Sequence, residues 1–275
     1  MSLAARPAAP RPQVMGIVNV TPDSFSDGGR FLDPAEGIEH ARRLIAQGAD
    51  ILDIGGESTR PGATPVSAFD EILRVVPVIE AVRAASIAPI SIDTMKPEVA
   101  RAAVKAGATI WNDVSALRFS HDAPEVAAEL GCEVVLMHML GEPGSMQDAP
   151  RYDDVVAEVE AFLLARAFTA MAAGVAKEKI WLDPGIGFGK TAPHNLALLA
   201  ALPRFVALGY PILLGASRKR FIASVDPSAR EADDRLGGSL AAHLAGAAAG
   251  VAAVRVHDVR ETVQALAVRA AIAGA

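Results

Sequence analysis

With one cysteine, Cys132, among its 275 residues, the chain has no internal disulfide and no multi-cysteine metal centre. Cys132 sits in Gly131-Cys132-Glu133-Val134-Val135, at the start of an apolar segment, where a small buried residue is expected. The six histidines show no H-x-x-x-H spacing, so a transition-metal site is not expected. A Ser–His–Asp triad is missing as well. No apolar run reaches the roughly 18 residues of a membrane-spanning helix. The hydrophobic share of 51% and mean hydropathy of +0.29 come mostly from alanine. The most apolar stretch, Leu240 to Val254, is broken by His243, Gly246 and Gly250, and reads as a tightly packed helix running into a buried strand. Excess positive charge is lacking too. A net charge of -6 and a pI near 5.5 give no general affinity for nucleic acid, so an anionic ligand needs a local basic cluster. Residues 1–12 hold Arg6, Arg11 and three prolines but no apolar signal-peptide core. They are expected to form a disordered leader on a cytoplasmic protein.

What the chain does have is a repeat. Eight short apolar segments are expected to be strands: Val14–Val20, Ile51–Ile54, Ile90–Ile92, Thr109–Asn112, Glu133–His138, Ile180–Asp183, Ile212–Gly215 and Ala252–His257. Most are continuous runs of Ile, Val and Leu, as in a parallel strand covered on both faces. Between them lie Ala- and Leu-rich stretches with helical spacing, among them Ala68–Ala85, Pro97–Ala106, Asp153–Ala173, Asn195–Leu208 and Val259–Ile272. Gly48, Gly107, Gly131, Gly174, Gly209 and Gly250 precede the following strands, where glycine supplies the left-handed turn that ends a helix. Eight such units predict one (β/α)8 TIM barrel over residues 13–275.

The strands end in Asn19, Asp53, Asp93, Asn112, His138, Asp183, Ser217 with Lys219, and Arg255 with His257. Active sites of such barrels are built at this end. The connections 20–33 and 55–67 are long and rich in Gly, Pro, Ser and Thr, and they carry Asp23, Phe25, Asp27, Thr59 and Arg60. Lids or ligand clamps are expected there. Asp183-Pro-Gly-Ile-Gly-Phe-Gly-Lys-Thr191 fails the Walker pattern, because Pro184 stands where glycine is needed. Its glycines instead let backbone approach a flat ligand closely.

Arg255 and His257 are two apart and share the inward face of the last strand. Ser217-Arg218-Lys219-Arg220 adds positive charge, and the connections after strands seven and eight are a recurrent phosphate site. Asp53, Asp93, Asn112 and Asp183 suit the donor and acceptor edge of a guanidine-like pyrimidine. Asp53 and Asp93 can also simply anchor neighbouring backbone. A Mg²⁺ held mainly by substrate phosphates needs only one or two protein oxygens and stays open.

Together these motifs resemble dihydropteroate synthase. The matching runs are Met15-Gly-Ile-Val-Asn-Val-Thr-Pro-Asp-Ser-Phe-Ser-Asp-Gly-Gly29, Asp53-Ile-Gly-Gly-Glu-Ser-Thr-Arg-Pro-Gly62, Asn112-Asp113, Leu136-Met-His-Met139, Asp183-Pro-Gly-Ile-Gly-Phe-Gly189, Ser217-Arg-Lys219 and Arg255-Val-His-Asp258. They run in order from about Val14 to the end of the chain. The resemblance implies condensation of 6-hydroxymethyl-7,8-dihydropterin diphosphate with 4-aminobenzoate, giving 7,8-dihydropteroate and diphosphate. It implies pterin contacts from Asp93, Asn112, Met137, Asp183, Lys219 and Arg255. Diphosphate is expected near Asn19, Thr59, Arg60, Arg255 and His257, with Mg²⁺ on Asn19. Aminobenzoate is expected among Phe25, Pro61, Phe188, Ser217 and Lys219. Asp27, Lys219, Arg255 and His257 are the expected catalytic groups, and a homodimer is the expected assembly. The nearest competitor is a corrinoid-linked methyltransferase domain on a similar barrel, which needs neither a diphosphate site nor the Ser-Arg-Lys turn.

Overall fold

Strands that are apolar on both faces need cover on both sides, and the computed structural model gives them that cover. It describes residues 11–21, 34–58, 64–142, 144 and 146–274. The strands are β1 (Gln13–Asn19), β2 (Ile51–Gly55), β3 (Ile90–Asp93), β4 (Ile110–Asp113), β5 (Glu133–Met137), β6 (Ile180–Asp183), β7 (Leu213–Leu214) and β8 (Ala253–Val256). The helices are α1 (Pro34–Ala46), α2 (Ala68–Ala85), α3 (Pro97–Ala106), α4 (Ala123–Leu130), α5 (Val155–Ala172), α6 (Ala192–Ala200), α7 (Leu202–Val206), α8 (Phe221–Val225), α9 (Leu236–Ala249) and α10 (Val259–Gly274). All ladders are parallel in the order β6-β5-β4-β3-β2-β1-β8-β7. One bridge, Leu182 to Ile212, joins the two ends, so the sheet is the expected (β/α)8 barrel.

Strand alternation sorts the residues into two cores. Val14, Val18, Leu52, Ile54, Ile90, Ile92, Val134, Leu136, Val254 and Val256 face outward and pack under the helices. Met15, Ile51, Ile110, Val135, Trp181, Leu213 and Ala253 fill the barrel interior. The interior is mostly apolar low in the barrel and polar above, where Asp53, Asn112, Asp183 and Arg255 stand two residues beyond Ile51, Ile110, Trp181 and Ala253, and Asp93 two beyond the buried Ser91. All six helix-terminating glycines have positive φ, from 61° to 120°.

Several boundaries differ from the sequence reading. The helix expected over Asn195–Leu208 is two helices, α6 and α7, because Pro203 begins a new first turn after Ala201. The helix expected from Asp153 starts at Val155, with the Asp154 carboxylate accepting from the amides of Val156 and Ala157. The seventh strand shrinks to Leu213–Leu214, and His138 and His257 each lie one residue past their strands. Arg11 and Pro12, at the end of the expected leader, lie against the barrel. The Arg11 guanidinium meets Asp50 at 2.6 Å, and Pro12 is buried. Cys132 is buried as expected, with its thiol pushed up to about 11 by burial. Among the described residues, no helix is long and apolar enough to cross a membrane.

Candidate active site

Arg255 organises the polar end of the barrel. Its Nε donates to Asp53 Oδ2 at 2.6 Å, and a terminal nitrogen donates to Asp93 Oδ2 at 2.6 Å. Asn112 Nδ2 donates to the same Asp53 carboxylate at 3.3 and 3.5 Å. Two in-plane bonds fix the plane of the guanidinium, while 23% of the side chain stays exposed. Asp53 itself is fully buried. It supports the groups above it, which answers a question the sequence left open.

The field at this end is strongly perturbed. Burial pushes Asp93 up to about 7; Arg255 opposes the shift, and Asp53, Glu71 and Asp113 reinforce it. Asp183 rises to about 6 through burial, held back by the Gly185 amide, which donates to its Oδ1 at 2.7 Å, and by Lys219. Burial and Arg255 bring Lys219 down to about 8, against the pull of Asp183 and Asp93. Burial lowers Arg255, but Asp53 and Asp93 outweigh it and hold the guanidinium charged. His257 falls to about 3 through burial and the charges of Arg255 and Arg218, so its ring is neutral at pH 7. Ser217 Oγ accepts from the His257 amide at 3.2 Å and lies 3.0 Å from Nδ1. With the hydroxyl donating to Nδ1, Nε2 carries the ring proton.

Beside this polar group stands an apolar wall. Met137 packs with Val114, Met139 and Met146, and Met95 and Phe188 pack against them. Lys219 Nζ lies 4.1 Å from the centre of the Phe188 ring, a cation–π contact that joins wall and charge. The turn that presents Ser217 and Lys219 has Arg218 in the left-handed region, at φ 57°. A non-glycine residue holds that conformation only when its surroundings enforce it. Here the Arg218 amide donates to Ser239 Oγ at 2.8 Å, and its side chain is held by Asp258 at 2.6 and 3.0 Å.

The structure therefore brings together Asp93, Asn112 and Arg255, and pairs Phe188 with Lys219 and Ser217 with His257. Met137 joins the wall. Asn19 ends β1 half-buried, and its register partner Gly55 is the partner of Asp93. Its side-chain amide makes no hydrogen bond among the described residues. Phe25, Asp27, Thr59, Arg60 and Pro61 lie outside the described residues. Sequence reasoning passed over Met95, Val114, Met139 and Met146. Met139 carried a signal, its two-residue spacing from Met137. It also passed over Lys96, a buried ammonium 2.6 Å from both Glu57 and Glu71 where β2 and α2 approach. Arg218, read as part of a basic turn, is committed to Asp258 instead.

The chain is similar to known proteins over nearly its whole length. The family model described as pterin binding enzyme matches residues 15–257. The dihydropteroate synthase of Escherichia coli strain K12 is 50% identical over 258 residues, covering 93% of this chain and 89% of that protein. Among solved structures, Xanthomonas albilineans dihydropteroate synthase with 4-aminobenzoic acid is 53% identical, with a TM-score of 0.90, covering 96% and 94% of the two chains. The same enzyme in complex with 7,8-dihydropteroate gives 50% identity and a TM-score of 0.87, covering 96% and 95%.

Proposed function

The chain belongs to the pterin-binding enzyme family and to its dihydropteroate synthases, and from that premise we propose how its residues share the work. The reaction is a transfer in folate biosynthesis. The C–O bond of 6-hydroxymethyl-7,8-dihydropterin diphosphate breaks, diphosphate leaves with the electron pair, and 4-aminobenzoate nitrogen forms the new C–N bond. The single observation that carries the assignment of roles is the guanidinium of Arg255, pinned by Asp53 and Asp93 beside Asp183 and a methionine-rich wall.

In this reading the pterin lies flat on the Arg255 plane. Asp183 and Asp93 accept from its amino and ring N–H groups, Asn112 completes the polar edge, and Met137 covers the other side. Lys219 donates to the ring. The leaving diphosphate is received by Arg255, by the neutral His257 through Nε2–H, and by Thr59 and Arg60. The Asn19 side-chain amide, which bonds to none of the described residues, offers an oxygen suited to Mg²⁺, which when bound would neutralise charge on the diphosphate.

Positive character left on the pterin methylene is delocalised by the electron-rich ring. An arylamine is mostly neutral at pH 7, so its lone pair attacks without a strong base, and the proton it loses passes to water or departing diphosphate. This accounts for the missing Ser–His–Asp triad. Aminobenzoate is received by Phe188, Ser217 and Lys219, with Phe25 and Pro61 from the two long connections and Asp27 near the reacting carbon. Excluding water there protects the cation from hydrolysis. We further propose a cytoplasmic homodimer, for which the exposed Val268 and Ile272 of α10 offer apolar surface.

Rapid mixing of the enzyme with pterin diphosphate and Mg²⁺ tests the order of events. Slow release of diphosphate without aminobenzoate is expected. Strict dependence on the amine would establish a concerted displacement instead.

A further inference from the structure

Lys190 closes the Asp183–Gly189 segment, and no substrate contact above uses it. Its side chain is buried, with 4% of its surface exposed. Nζ donates to the carbonyls of Gly185 at 2.8 Å, Phe188 at 3.0 Å and His138 at 3.2 Å, and lies 2.9 Å from His138 Nδ1. These partners are dipoles rather than carboxylates, an expensive setting for an ammonium unless all its protons are used. Burial brings Lys190 down to about 7, with Asp183 resisting and Lys219 reinforcing the shift. Burial and Lys190 hold His138 near 3, so its ring is neutral and Nδ1 can accept.

The ammonium links two successive strand ends. His138 follows β5, while Gly185 and Phe188 follow β6. The two backbones touch, since a Cβ on Gly185 would lie 1.9 Å from the His138 carbonyl oxygen. The outer side of the segment is held separately, by the Gly187 amide on Asn195 Oδ1 at 2.7 Å and by Tyr152 hydroxyl on the Gly189 carbonyl at 2.8 Å. Of the residues clamped by Lys190, Phe188 is the one whose ring meets Lys219.

We infer that Lys190 is a positioning residue, whose ammonium bridges the His138, Gly185 and Phe188 carbonyls and thereby fixes the Phe188 ring against Lys219 on the aminobenzoate side of the site. This rests on the reading that Phe188 and Lys219 receive aminobenzoate. The segment that resembles a phosphate loop thus turns its lysine inward, onto protein carbonyls.

Four experiments on the enzyme test it. Lys190→Met keeps volume and removes the donors; KM for 4-aminobenzoate should rise about tenfold or more, the equivalent of one charge-assisted bond, with pterin affinity by calorimetry falling by a smaller factor, since the Gly185 amide still donates to Asp183. In Lys190→Ala, added propylammonium should partly restore the KM, a rescue that a purely packing role would not give. In the unmodified protein, nitrogen-15 NMR below about pH 6, where Lys190 carries its third proton, should show a slowly exchanging lysine ammonium; its absence there overturns the inference even where the variants fail to fold. Phe188→Ala separates the two layers. If it leaves the aminobenzoate KM unchanged, the pocket reading fails. If it raises KM while Lys190→Met does not, the positioning role fails.

Discussion

Asp53→Asn removes one negative charge from beneath the site while keeping the side chain's shape. Asp53 accepts from Arg255 Nε at 2.6 Å and from Asn112 Nδ2 at 3.3 Å, and both bonds are buried or nearly so. The new amide retains one acceptor oxygen for Arg255. Replacing a charge-assisted bond by a neutral one costs about 1 kcal/mol or somewhat more. Its NH₂ then faces the Asn112 NH₂, and separating these donors or leaving one unsatisfied adds about 1 kcal/mol. The sum, about 2–3 kcal/mol, should lower Tm by about 4–12 °C for a chain of this size. If Arg255 and Asn112 act fully in the transition state, kcat/KM should fall about 30- to 150-fold. Asp53 is also one of the charges that raise Asp93, so its loss should shift the Asp93 titration below about 7. Calorimetric pterin affinity across pH, with steady-state rates and a melting curve, reads all three effects. An unmoved or raised pH midpoint, or rates and Tm equal to those of the parent, would refute the central place given to Asp53.

The same titrations give the unmodified enzyme a pH signature. Asp93 and Asp183 keep their protons to about 7 and 6 in the fold, against 3.8 as the ordinary value. Their stabilising contribution is therefore complete below 3.8 and lost as pH rises through those values. If both accept from the pterin as proposed, binding needs them as carboxylates and runs the other way, so calorimetry should show affinity tightening from about pH 5.5 to 8; weakening over that interval would contradict the roles. Gly185→Ala should cost about 3 kcal/mol or more, since the residue sits at φ 68° and the new methyl would overlap the His138 carbonyl at 1.9 Å. A melting curve indistinguishable from the parent's would show that the contact is not as tight as described.

Legibility from sequence followed interaction range. Strands announced themselves because Ile51–Ile54 or Ile90–Ile92 are apolar locally, and helix ends because a glycine such as Gly107 marks one position. The strand-end polar residues were legible for the same reason, since side-chain alternation is a short-range rule. Partnerships were not. Arg255 and Asp53 are 202 residues apart, and nothing in either segment says that they bond. Lys190 reads as part of a glycine-rich loop, and only tertiary packing shows that it points at His138. The split of α6 from α7 was readable at Pro203, but the surrounding Leu and Ala masked it.

The weak place in the barrel wall lies between β6 and β7. Those two are joined by a single bridge, Leu182 to Ile212, with the Leu182 amide bonded to the Pro211 carbonyl at 2.9 Å, and β7 pairs with β8 over only two residues. Asp183 rises on one bank of this seam, while Ser217 and Lys219 rise on the other. A ring held by Asp183 and Lys219 together would be a suture, supplying across the gap the cohesion that backbone bonds do not. Substrate would then complete the barrel that binds it, and amides from Ile212 to Gly215 would exchange slowly only in the liganded enzyme.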